Sequence, residues 1–155
     1  MIKPIISLSL MTLICSNVIA SDHSCAFVGD SIAQGAHTFA PKCYSAAYNG
    51  ITSTGWTKKI KETIAANKII VSIGTNDWDT NKAEQSIRQL RTKLLSQKIL
   101  WIAPGENFFA RDIVLRVAQE FGDKVYERPT ESLAKDGIHF HPSGYKKIAS
   151  LIKLG

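Results

Sequence analysis

Three short segments of this 155-residue chain carry residue types that together could make a nucleophilic hydrolytic site. Gly29-Asp30-Ser31 sets a serine directly after an apolar run, and Gly74-Thr75-Asn76-Asp77 sets an asparagine after another. Asp136-Gly137-Ile138-His139 sets a carboxylate and an imidazole three residues apart near the end of the chain. A serine nucleophile needs a base to take its proton, and that base needs an acceptor to fix its tautomer and stabilise the imidazolium. Asp136 and His139 can do both from one loop. The Asn76 amide can donate to an oxygen that gains negative charge during attack, and the backbone N–H of Ser31 can face the same point.

Each segment alone has a plainer reading. A Ser or Asp after a strand is commonly a helix N-cap, an Asn there an Asx turn, and a D-x-x-H a surface turn. The weight comes from their joint placement. His139 and His141 fall on the same side of an extended segment and, with Asp136, could supply three zinc ligands. That reading leaves Ser31 and Asn76 without a role, so a metal site is not expected.

The elements that must position these residues are legible as alternating patterns. Residues 25–29, 43–48, 68–73, 99–103 and 124–126 read as strands, and the third and fourth are continuously apolar, as parallel strands covered on both faces should be. Trp56, Ile60 and Ile64 mark one helix face. Ala83, Ile87, Leu90 and Leu94 mark a second, opened by Asn81 as N-cap with Glu84 three residues on. Phe109, Ile113, Val117 and Phe121 mark a third that stops at Gly122, and a last helix starts at Pro142 with Tyr145, Ile148 and Ile152 on one side. Between Ser31 and Lys42 there is room only for a brief helix. This order predicts an α/β protein with an open parallel sheet, helices on both faces, and a ligand edge at the strands' carboxyl ends.

Gly29-Asp30-Ser31-Ile32, Gly74-Thr75-Asn76-Asp77 and Asp136-Gly137-Ile138-His139-Phe140-His141-Pro142 resemble, in order and spacing, the first, third and last blocks of the SGNH hydrolases, also called GDSL-type esterases and lipases. The resemblance frames nearly the entire chain beyond residue 20. It implies a three-layer α/β/α, flavodoxin-like fold with a five-stranded parallel sheet in the order 2-1-3-4-5, and ester hydrolysis without cofactor. It also implies Ser31 as nucleophile, His139 as general base and then acid, Asp136 as its orienting partner, and Asn76 as an oxyanion-hole donor. The second block departs from the family pattern: "NGITSTGW" puts Ser53 where a glycine is usual and Gly55 two places later, so the third oxyanion donor is Ser53 or Gly55.

Residues 1–20 read as a secretory signal, with Lys3, an apolar stretch from Ile5 to Cys15 and a Val18-Ile19-Ala20 cleavage pattern, leaving 21–155 as one hydrolase-like domain. A secreted or periplasmic location follows, with no stable membrane insertion of the mature chain. Cys25 and Cys43 then form an even pair in an oxidising compartment, which reads as a disulfide. With the strand order that the resemblance implies, both lie at the amino-terminal starts of neighbouring strands, within a disulfide's reach.

The net charge of +6 falls by one with Lys3. Its densest cluster, Lys58-Lys59-Ile60-Lys61, sits on an amphipathic pattern with no interleaved aromatic residues, a solvated surface and not a nucleic-acid patch. Trp101 is expected in the core, Trp78 in an acyl pocket, and Phe108 and Phe109 on a helix's packing face. The chain has no room for a large lid. The expectation is therefore a monomeric esterase acting on short acyl, chiefly acetyl, esters of small molecules or glycans. Lipid or thioester hydrolysis, or a weakly catalytic module that binds a glycan or partner, is the alternative.

Overall fold

The structure is a computed structural model that describes residues 22–153. The expected signal segment and its cleavage site lie outside the described residues. In chain order the elements are β1 (Asp22–His23), β2 (Ala26–Gly29), α1 (Ser31–His37), β3 (Tyr44–Ala47), α2 (Ser53–Lys59), β4 (Ile64–Ala66) and β5 (Ile69–Ser72). They continue with α3 (Thr80–Thr92), β6 (Leu94–Leu95), β7 (Ile99–Ile102), α4 (Arg111–Glu120), β8 (Lys124–Tyr126) and α5 (Pro142–Ser150), with 3-10 turns at Thr130–Ser132 and Leu151–Lys153.

Five strands form a wholly parallel sheet in the spatial order β3-β2-β5-β7-β8. Counted along the chain within that sheet, the order is the expected 2-1-3-4-5. The period of two along each strand divides the core. Ala26, Val28, Ile69 and Val71 face α2, α3 and α4, whereas Phe27, Ile70 and Ile102 face α1 and α5. Both faces are therefore covered, which is why the central strands carry no polar alternation.

Three short strands, β1, β4 and β6, form a second parallel sheet that the sequence reading does not anticipate. Ile64 belongs to it. The apolar period that joins Trp56, Ile60 and Ile64 is broken at Ile60, whose backbone turns extended and ends α2. Ile64 is still buried, through a strand and not through a helix face.

Two helix starts also differ from expectation. Asp79, not Asn81, caps α3 through a bond from the Lys82 N–H, and Glu84 instead pairs with Arg88 and Arg116. Helix α4 begins only at Arg111, so Phe109 is 62 % exposed, and Phe121 lies beyond its end, partly exposed. Trp101 is fully buried and donates its indole N–H to Asp123 at 2.8 Å.

Cys25 and Cys43 are bonded, with their Cα atoms 4.8 Å apart at the starts of β2 and β3. The bridge closes a loop with a sequence separation of 18 at the sheet edge opposite the ligand edge. Replacing both cysteines with alanine should lower unfolding free energy by about 3 kcal/mol, measured as a drop in denaturant midpoint, with a slope no smaller than wild type because the uncrosslinked unfolded chain exposes more surface.

Candidate active site

The loops after β2 and β5 and the segment before α5 converge at the carboxyl edge of the sheet. The first is built on Gly29, whose φ of +123° suits glycine. A β-carbon there would lie 1.8 Å from the Ser72 carbonyl oxygen. That same carbonyl accepts the Asp30 N–H at 2.7 Å, tying the turn to β5. Asp30 caps α1 by accepting the Ile32 N–H at 3.0 Å. Ser31 is left at the first helical position, half-buried, with its N–H unpartnered among the described residues.

The third segment reaches this serine from 108 residues away. His139 Nε2 lies 3.2 Å from Ser31 Oγ, and His139 Nδ1 lies 2.7 Å from Asp136 Oδ2. The other oxygen of Asp136 accepts the N–H groups of Ile138 and His139, each at 2.9 Å. The contact with His139, then these two backbone donors, hold the Asp136 carboxyl well below the usual carboxylate range. A neutral imidazole that donates from Nδ1 to this carboxylate keeps its Nε2 lone pair for the serine proton. A separation of 3.2 Å is in the looser range common in sites without substrate.

Asn76 lies on the loop after β5 and donates one amide N–H to the Ile51 carbonyl at 3.0 Å. Its second N–H has no partner among the described residues. Ser53 and Gly55, the two candidates for a third oxyanion donor, have engaged amides. The Ser53 N–H donates to Asp77 at 3.0 and 3.2 Å, and its hydroxyl donates to the same carboxylate at 3.0 Å. The Gly55 N–H donates to the Thr52 hydroxyl at 3.0 Å, the cap of α2. Neither presents a free N–H in this arrangement, because the Asp77 carboxylate takes the first and the Thr52 hydroxyl, the cap of α2, takes the second.

Asp77 is the residue that sequence reasoning missed here. Buried, with its pKa raised by burial and eased downward by Ser53, it pins the Asn76 loop to the start of α2. Trp78, expected in an acyl pocket, is 80 % exposed and stands out from the surface beyond Asn76. His141 occupies the N-cap position of α5 without a side-chain bond; its backbone N–H donates to the Ser132 carbonyl at 2.8 Å. Among the described residues no three His, Cys, Asp or Glu side chains gather as a metal site, and none of the helices is long and apolar enough to cross a membrane.

Burial pushes the Asp30 carboxyl up to about 6, partly opposed by the hydroxyls of Ser72 and Thr75 and the Ile32 amide. The folded value lies above the unfolded one, so the folded chain holds the extra proton between the two. Stability contributed this way is present at low pH and lost as pH rises through about 6. The expected loss is about 2 kcal/mol between pH 4 and 7. Urea unfolding of wild type and Asp30→Asn across that range should show the difference shrinking in the acid.

No family model and no curated protein matches the chain at a significant level. Among solved structures, the chain is similar to a two-domain esterase active on acetylated mannans, crystallised with mannopentaose. The TM-score is 0.56 at 16 % identity, over 85 % of this chain and 48 % of that one. The chain thus spans about half the length of that protein, and the likeness is one of fold.

Proposed function

We propose that this chain is an exported serine esterase of the SGNH hydrolase family that removes short acyl groups, chiefly acetyl, from polysaccharide. The observation that carries this reading is the relay from Asp136 through His139 to Ser31, assembled at the ligand edge of the fold. The three motif blocks, the likeness to an acetyl-mannan esterase fold and the Cys25–Cys43 bridge support it.

In the reaction, Ser31 Oγ attacks the ester carbonyl as its proton passes to His139 Nε2. The tetrahedral oxyanion is held by the Ser31 N–H and the free amide N–H of Asn76. His139 then protonates the departing sugar oxygen, and water, deprotonated in turn by His139, releases acetate. Asn76→Ala should lower kcat by about 10²-fold or more, measured on an aryl acetate.

The triad is open. The side chains of His139 and Asp136 are 42 % and 48 % exposed, which suits an acyl group borne on a large carrier. Trp78, two residues beyond Asn76, exposes an indole on which a sugar ring of the carrier can stack. Trp78→Ala should raise KM for an acetylated oligosaccharide about five- to tenfold, and more than for an aryl acetate, which has no sugar to stack. Acetate release from a panel of acetylated glycans, set against aryl esters of increasing chain length, tests the substrate class. Preference for long chains contradicts it.

A further inference from the structure

Arg128 is only 7 % exposed, just beyond β8 at the carboxyl edge of the sheet. None of the ion pairs among the described residues includes it. Its Nη2 donates to the Ile138 carbonyl at 2.6 Å and lies 3.4 Å from the Gly137 carbonyl. The guanidinium stands 5.2 Å from the centre of the Phe140 ring and 5.9 Å from that of Phe108. A β-carbon on Gly105 would press to 2.9 Å from its Nη1.

Its Nε is buried without a hydrogen-bond partner among the described residues. A gap lined by Ile32, Ser72, Thr75 and Arg128 has no room for a water molecule. Burial weakens the basicity of Arg128, while the negative charges of Asp30 and Asp136 oppose that loss. A guanidinium withdrawn from water with an orphaned N–H is costly, and stacking on two phenyl rings does not recover that cost. What it gains is a hold on the loop that carries Asp136 and His139.

We propose that Arg128 is a positioning residue for the Asp136–His139 loop. It anchors the carbonyls of Gly137 and Ile138, the two residues between the carboxylate and the imidazole, and so fixes the His139 ring 3.2 Å from Ser31. Its positive charge is within electrostatic reach of Asp30 and Asp136, the first adjacent in sequence to the nucleophile and the second paired with the base.

The kinetic readout rests on the esterase reading, whereas a proton NMR readout does not. In wild type the Nδ1–H of His139, held by the Asp136 carboxylate, should give a far-downfield resonance. Arg128→Gln should lower kcat on an aryl acetate by about 10²-fold with KM changed less than about threefold, and should broaden or shift that resonance. Arg128→Lys, which keeps charge and one donor but not the fork, should recover about tenfold of the loss.

A folded Arg128→Gln with near wild-type kcat and an unmoved resonance overturns the proposal. If the glutamine variant does not fold, Arg128→Lys decides: about a tenfold loss of kcat with a shifted resonance supports it, and wild-type values for both overturn it. If the wild type hydrolyses no ester, the esterase reading fails by itself, and the resonance alone then decides the role of Arg128, an unmoved signal counting against it.

Discussion

Ser31→Ala should lower turnover on an acetyl ester by about 10⁴-fold or more and leave stability within about 0.5 kcal/mol of wild type. The asymmetry follows from where the hydroxyl sits. Ser31 Oγ makes one bond, to a half-exposed histidine, and removing it empties no core space. The turn that carries it is held by other atoms: the Asp30 N–H on the Ser72 carbonyl, and the Asp30 carboxylate on the Ile32 N–H. Activity should therefore vanish while the denaturation curve stays in place. Steady-state acetate release and urea unfolding on the same preparation read both quantities.

The second large effect is expected at Asp136. In Asp136→Asn, the side-chain oxygen can keep the two backbone N–H bonds of Ile138 and His139, so the loop should hold. What changes is the atom that faces His139. An amide NH₂ in place of Oδ2 donates to Nδ1, which moves the imidazole proton to Nε2 and leaves no lone pair for the serine proton. Turnover should fall by about 10³- to 10⁴-fold with KM changed less than about threefold. Turnover of Asp136→Asn within about tenfold of wild type, measured at neutral pH on the same ester with the loop intact, would contradict a tautomer-fixing role.

Sequence made the five-stranded sheet legible because its strands are short apolar runs separated by helical periods, and the carboxyl edge then follows from parallel topology. Ser31, Asn76, Asp136 and His139 could be named as candidates because three segments, each ordinary alone, follow β2 and β5 and precede α5 in the order of the SGNH blocks. The second sheet was not legible. Strands as brief as Leu94–Leu95 carry no period to read, and Ile64 fits a helix face and a strand equally well. The start of α3 turned on two Asx residues two positions apart, and Asp79 won by its bond to the Lys82 N–H.

The partner choices inside the site depend on contacts far apart in the chain. Ser53 looked like an oxyanion donor by register, but Asp77, 24 residues on, claims its amide. The aspartate was visible in the GTND segment; its target was not. Arg128 stands just beyond the last strand in a Tyr-Glu-Arg-Pro stretch with no motif around it, and only the fold brings it under the Asp136–His139 turn. The position of Trp78 after Asn76 points to a pocket, yet the loop leaves its indole 80 % exposed. Adjacency in sequence fixed its neighbourhood but not its direction.

The most direct measurement of the central claim is covalent trapping of the nucleophile. The protein is treated with a fluorophosphonate, digested, and its peptides weighed by mass spectrometry. The account predicts one adduct, on Ser31, formed in step with loss of esterase activity, and no adduct in His139→Ala over the same time. An adduct on another residue that tracks the loss of activity, or full inactivation with Ser31 unmodified, would contradict it.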